Sequence, residues 1–349
     1  MRFIFIRRTE TAAKLFLRLI RVYGLVITRK TRKIALPRIM DLFNVHEKRS
    51  KDSRSFQAPS GVEIFTSFWG STHHSLFRDL CLPSILQSGI FSSNFKIPIN
   101  FVIHCPAEDW LKIESEIHGA ISQAGAKYEW FPLENTQDSK KTKVRVAKFL
   151  RDRIKIAEDF DRVLVLAFPD HVFGRGLDRL IQLMKRGDYV VCPQARVDLE
   201  SSLETFKQLL VANRYSNRDL VGISLNKFPH SLVKLSMHES HAYLRIKKEK
   251  DSFLVNFKEP PPIACWGRGT SDLFNRSFER PTFGEFEVID HDAPNLFFLA
   301  SKLRLVVDSD FFFWAEMTSQ KEYNKMIKNS FWLESAMYLN QCEVKWQCC

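Results

Sequence analysis

The residues best placed to do chemistry in this sequence are carboxylates that follow strand-like apolar runs. Asp170 closes the run VLVLAFPD, Asp290 ends GEFEVID and is followed by His291 and Asp292, and LRLVV runs into Asp308-Ser309-Asp310. A carboxylate at a strand end can hold Mg²⁺ or Mn²⁺ against a diphosphate, because hard cations prefer oxygen ligands. Such a metal neutralises charge developing on a leaving group. A carboxylate without a metal can act as a general base toward a hydroxyl. Asp308 and Asp310 share a side if their strand runs on through them, since side chains alternate along a strand. Plainer readings stand beside these. Asp170 can be the N-cap of the helix that follows or a turn residue after Pro169, and acidic pairs at strand ends are often simply solvated.

A second group lies just past the first strand-like run. Ser67-Phe68-Trp69-Gly70 offers an aromatic ring on which a nucleotide base can stack, and backbone groups beside it; Trp-Gly after a strand is also ordinary packing. Gly174-Arg175-Gly176 has a faint likeness to a phosphate loop. His73-His74 and His238-x-x-His241 lack a Cys or carboxylate at metal-ligand spacing, so they read as surface or core histidines. The seven cysteines are irregularly spaced with no Cys-x-x-Cys, which argues against a zinc ribbon or a thioredoxin-type site and for buried, reduced thiols. Gly-x-Ser-x-Gly, Walker and Gly-x-Gly-x-x-Gly patterns are absent, so hydrolase, P-loop and dinucleotide readings lose their usual support.

The elements that must position these groups alternate in type. Strand-like runs are expected at GVEIFTSFW, INFVIHC, KYEWFPL, RVLVLAF and DYVVCP. Helical spacing separates them: Leu76 to Leu86 interrupted by Pro83, then Glu108–Gln123, then Lys141–Asp159 with Val144, Ala147, Ile154 and Ala157 on a helix, then Leu177–Lys185. That alternation predicts βαβ units and an open, mainly parallel α/β sheet flanked by helices. Residues 198–240 read as helical, with Leu199, Leu203, Phe206 and Leu210 as a core stripe. HAYLRIK and FLVNF follow as short strands, then a break at Pro260-Pro261-Pro262, strands at GEFEVID and LRLVVDSDFFFW, and a last helix over Gln320–Met337. This second half reads as an α+β elaboration.

Charge divides the chain sharply. Overall it carries 52 Lys and Arg against 40 Asp and Glu, a net +12 over 349 residues. Residues 1–60 hold fifteen of those bases and four of the acids, a net +11, which leaves the other 289 residues at +1. A basic pI suggests nucleic acid or an anionic surface as partner; here that inference applies to the leader alone. Read as a helix, the stretch from Lys14 to Ile27 puts Lys14, Arg18 and Arg21 on one face and Leu15, Leu19, Val22 and Val26 on the next. Such a helix can lie on an anionic membrane. A cleaved targeting peptide, a poorly ordered tail and a helix packed on the body are the other readings. No run of about 18 uncharged apolar residues exists to span a bilayer. Residues 46–60 read as a linker.

Three segments together carry a family resemblance: FTSFWGSTHHSLFRDLCLPSIL, then FDRVLVLAFPDHVFGRGLDRLIQLMKRGDYVVCPQARV, then VIDHDAPN and LRLVVDSD. From about Val62 to Met317 the chain resembles poorly characterised bacterial glycosyltransferase-like proteins, which are similar to the GT-A fold of nucleotide-sugar transferases. The resemblance implies that the fourth strand ends in a metal- and diphosphate-binding Asp-x-Asp. Asp170 matches its second Asp, and Phe168 stands in place of the first.

The expectation is thus a GT-A-like domain over 61–349, with a nucleotide-binding half at 61–197 and an acceptor-side half at 198–349, behind a basic leader and linker at 1–60. Its function would be transfer of a sugar from a nucleotide-diphosphate donor to a glycan or lipid-linked acceptor. Ser67, Phe68, Trp69 and Gly70 would contact the nucleotide, Asp170 the diphosphate or its Mn²⁺ or Mg²⁺, and Asp290, Asp292, Asp308 or Asp310 would supply the acceptor base. The expected location is cytoplasmic, with the leader able to hold the protein at the inner face of the membrane. The alternative is a non-catalytic sugar-binding or scaffold protein that kept the fold, and nucleic-acid binding through the leader is a third reading.

Overall fold

Inner strands of a parallel sheet are covered on both faces, so they read as largely apolar runs, and the fold is built around such runs. The computed structural model describes residues 58–134, 139–192, 195–226, 244–248, 252–257, 262–267, 303–306, 308–319 and 343–347, all within the compact unit Ala58–Cys349. The leader and its proposed amphipathic helix, His238, His241, GEFEVID with Asp290 and Asp292, and the helix expected over Gln320–Met337 lie outside the described residues.

The main sheet has seven strands: β1 (Gly61–Ser67), β2 (Ile99–Cys105), β3 (Lys127–Pro132), β4 (Arg162–Leu166), β6 (Tyr189–Val191), β10 (Pro262–Trp266) and β11 (Leu303–Leu305), in the order β11-β6-β10-β4-β1-β2-β3. Six run parallel and β10 runs against them, pairing with β4 on one side and β6 on the other. The sequence reading put a break at Pro260–Pro262 and left no strand between β4 and β6. The apolar run Ile263–Trp266 fills that place, with Pro262 as the strand's first residue, where its missing N–H is tolerated.

Helices cover both faces. One face packs on α1 (Ser71–Leu76), α2 (Leu82–Leu86), α3 (Ala107–Gln123) and α5 (Leu177–Leu183), through a core that includes Ile64, Phe101, Val165, Phe77, Ile113 and Ile181. The other face packs on α4 (Ser139–Asp159) through Phe65, Val102, Leu164, Leu150 and Ile154. Val144 of α4 is 46% exposed, while Ala147, Leu150, Ile154 and Ala157 form the buried stripe. Arg153 also points inward from α4 and makes a two-pronged ion pair with Glu63 of β1, at 2.8 and 2.6 Å, both side chains being buried.

Pro83 does not break its helix. Its ring would collide with the carbonyl four residues earlier, and the chain widens into a π turn over Phe77–Cys81 that relieves the clash and leads straight into α2.

A second sheet of three strands joins β5 (His171–Phe173), β12 (Trp314–Thr318) and β7 (Ala195–Asp198) in the order β5-β12-β7. One of its faces, with Val172, Ala195, Val197, Ala315 and Met317, is buried under α6 (Leu199–Ala212) and α7 (Asn217–Asn226). The strand expected over LRLVVDSDFFFW is therefore two strands, β11 and β12, with a turn between them. The strands β8 (Leu244–Lys248), β9 (Ser252–Phe257) and β13 (Glu343–Gln347) pair antiparallel in the order β13-β9-β8. Among the described residues no helix is long and apolar enough to cross a membrane.

Candidate functional site

Strand order reverses beside β1: β2 and β3 extend the sheet on one side, and the chain then returns to place β4 on the other. Open parallel sheets bind ligands in the crevice that such a reversal leaves beyond the carboxyl ends of the strands. Here the crevice lies between Ser67–Gly70, after β1, and Ala167–Asp170, after β4. Their register is set by Phe65 facing Leu166 and by the Ala167 amide donating to the Phe65 carbonyl at 2.8 Å.

The β1 wall is held from behind. Ser67 Oγ shares a 3.1 Å hydrogen bond with His104 Nδ1 at the end of β2, and the His104 ring stacks on Phe149 at 4.1 Å. Burial pushes the His104 pKa down to about 4, so the ring is neutral at pH 7. Phe68 is fully buried, stacked on Phe77 at 5.2 Å, and the aromatic left at the mouth is the half-buried Trp69. His73 Nδ1 donates to the Trp69 carbonyl at 3.0 Å. Gly70, at φ 83° and ψ 159°, adopts a backbone conformation essentially reserved for glycine, and its amide donates to Asp109 Oδ2 at 2.6 Å. Asp109 sits buried in the first turn of α3, where the helix dipole favours a carboxylate.

The β4 wall is a tight turn. The Phe168 amide donates to His171 Nδ1 at 3.2 Å, the His171 amide returns to the Phe168 carbonyl at 3.0 Å, and the Met317 amide ties down the Asp170 carbonyl at 2.8 Å. Asp170 is thus a turn residue after Pro169 and not a helix cap, since Gly176 occupies the N-cap of α5. Its side chain is 27% exposed, with Oδ1 3.8 Å from His171 Nε2. His171 is buried edge-on against Trp314 at 4.3 Å. Burial, reinforced by the charge of Arg196 and opposed by a hydrogen bond to the Leu166 backbone, lowers its pKa to about 3.

Cross-strand pairing sets a polar row beside this turn. His171, Glu316 and Arg196 are direct neighbours across β5, β12 and β7, and so share one face of the second sheet. Arg196 Nη1 meets Glu316 Oε1 at 3.0 Å, with both side chains about 15% exposed.

The other acidic pair lies elsewhere. Asp308 caps its own turn, accepting from the Asp310 amide at 2.9 Å, while Arg218 grips the Asp310 carboxylate with contacts of 2.7, 3.0 and 3.2 Å. This turn precedes the start of β12, whereas Asp170 pairs near that strand's far end, so the structure does not bring them together. Asp308 and Asp310 share no strand face, because the strand ends before them. Gly174-Arg175-Gly176 is no phosphate loop: the amides of Gly174, Arg175, Gly176 and Leu177 are all committed, to Phe313, Asn217 and Ser88.

Asp109, His104, Glu316 and Arg196 were not singled out from the sequence. Asp109 had a local signal, an acid in the first turn of a helix that starts at a strand end. Arg196 and Glu316 are 120 residues apart and meet only through strand pairing.

Fold and site together define an α/β protein with a strand-order reversal flanked by a partly exposed carboxylate, a half-buried tryptophan and a guanidinium–carboxylate pair. No protein-family model matches the chain, and no curated protein matches it. Among solved structures, it is similar to mouse xyloside xylosyltransferase 1 in its apo form, with a TM-score of 0.30 and 9% identity. That match covers 43% of this chain and 58% of the mouse chain.

Proposed function

We propose that the chain is a glycosyltransferase-like protein of GT-A type. It would take a nucleotide-diphosphate sugar in the β1/β4 crevice and move the sugar to a glycan or lipid-linked acceptor. The observation that carries this reading is that Ser67–Gly70 and Asp170 follow adjacent strands, β1 and β4, where strand order reverses. Trp69 offers its ring to the base and Asp170 its carboxylate to the diphosphate or its metal, and the Arg196–Glu316 pair borders the flank.

The residues fit a divalent cation in a limited way. Among the described residues no three His, Cys, Asp or Glu side chains form a ligand cluster, so Asp170 would be the chain's contribution. Mg²⁺ tolerates such a site, since it is commonly held by one or two carboxylates with phosphate oxygens and water completing the shell. The metal, when bound, would neutralise charge on the departing nucleotide. Asp290 and Asp292 stay the proposed sources of the acceptor base, since the turn that holds Asp308 and Asp310 lies away from Asp170 and Arg218 grips Asp310.

Titration calorimetry with a panel of nucleotide-diphosphate sugars, with and without Mn²⁺, tests the reading. One donor should bind with a Kd well below about 1 mM, and no binding at about that concentration overturns it. Phe168 favours a second reading. Its ring packs edge-on against Phe65 at 6.5 Å and His171 at 5.4 Å, so the position that would carry the first metal-binding Asp serves packing instead. Donor binding with no transfer to any acceptor would establish a non-catalytic sugar-binding protein.

A further inference from the structure

The first half of α4 has an unusual charge. From Ser139 to Arg151 the helix carries six cations and no anion, including its first turn, where the helix dipole disfavours positive charge. Lys141, Arg145, Lys148 and Lys155 share the outward face, and Lys143 is exposed at the first turn. Val144 lies within that face, 46% exposed, although the pattern of the helix could have turned it inward. Three anions touch the stripe: Glu134 pairs with Arg145 at 3.0 Å, Asp159 with Lys155 at 2.7 Å, and Asp152 is exposed on the same face. Lys141 and Lys148 face solvent between them.

Topology says where this stripe points. α4 leaves the carboxyl end of β3 and returns to the start of β4, so it runs antiparallel to the strands. Its basic N-terminal half therefore lies at the sheet edge that opens the β1/β4 crevice. We infer that the outward face of α4 is a docking surface for an anionic lipid bilayer. A helix of 21 residues is roughly 31 Å long, enough to lay several turns along a surface. Lys and Arg beside anionic headgroups each contribute about 1 kcal/mol, and an exposed valine among them can enter the headgroup layer. A nucleic acid backbone would leave the exposed Val144 without an apolar partner. The inference is independent of sugar transfer, because a protein that binds no donor can still dock in this way.

Vesicle flotation of the full-length chain tests it, using phosphatidylcholine vesicles with and without about 30% phosphatidylserine. The wild type should float with the anionic vesicles and stay behind with the neutral ones. Lys141→Glu/Lys148→Glu, which changes two exposed side chains, should lower the partition coefficient by about tenfold or more. Lys96→Glu/Lys127→Glu makes an equal charge change at other exposed sites and should alter it less than about twofold. Equal losses in both variants, or none in the α4 variant, would show that this face is not the docking surface. A wild type that binds single-stranded DNA through α4 but ignores anionic vesicles would assign the face to nucleic acid and overturn the proposal.

Discussion

Asp170 and Gly70 follow the adjacent strands β4 and β1 and answer to different measurements. Asp170 is partly exposed, and its backbone is tied by Met317 whatever its side chain. Asp170→Asn should therefore leave the melting temperature unchanged and weaken donor affinity by about 10- to 100-fold, the value of one contact to a charged group. Calorimetry on the variant checks this. Gly70 has no heavy atom within 4 Å of where a Cβ would stand, so Gly70→Ala meets no clash and only a backbone penalty. Urea unfolding should show a loss of about 1–3 kcal/mol. His104 and His171 extend the same logic to pH. Their folded pKa values, about 4 and about 3, lie below the ordinary 6.5, so the unfolded chain binds protons that the folded chain refuses. Stability is complete above pH 6.5 and falls as pH drops, with a slope approaching two protons between about 6.5 and 4. Urea midpoints across that range should fall for the wild type, and more shallowly for His171→Phe.

At the scale of elements, α4 is fastened to β1 by a buried charge pair as well as by apolar contact. Glu63 is fully buried and accepts from Arg153 twice, while Arg162 approaches at 3.5 Å. Removing the main partner strands a buried carboxylate. Arg153→Met should cost about 3–5 kcal/mol, and adding Glu63→Leu should recover most of it, because well-packed apolar replacements of buried ion pairs are often neutral. Chemical denaturation of the two single variants and the double variant measures the coupling. If the double variant is no better than Arg153→Met, Arg162 and the surrounding packing depend on the charge. The π turn teaches a related lesson: Pro83 signalled a break, yet helices α1 and α2 continue through it because one widened turn absorbs the ring.

Across the whole molecule, the cysteines report on the integrity of the core. Cys81, Cys105, Cys192 and Cys265 are buried thiols outside any disulfide, and burial raises each thiol pKa, that of Cys105 to about 12. They lie in or beside the main sheet, so they have no route to solvent short of unfolding. A thiol reagent should leave these four untouched in the native protein and label them at the rate of global unfolding. Peptide mapping after brief labelling distinguishes them from Cys342, Cys348 and Cys349. Early labelling of Cys265 would mean that β10 detaches from the sheet while the rest stays folded.

The sequence by itself determined the alternation. β1, β2, β3, β4 and β6 stand where apolar runs announced them, and α3, α4 and α5 where helical spacing did, because buried parallel strands and amphipathic helices leave local periodic marks. The positions of Ser67–Gly70 and Asp170 at strand ends were legible for the same reason. What only the tertiary structure decided was adjacency. A short run behind three prolines became β10, an antiparallel strand at the centre of the sheet, because the gap between β4 and β6 needed a partner for its hydrogen bonds. Asp308 and Asp310, plausible as a strand-end pair, were drawn into a turn and an ion pair with Arg218. Arg196 and Glu316, silent in the sequence, arrived beside Asp170. Hydrogen bonding between strands far apart in the chain makes these neighbours, and no local pattern of residues records it.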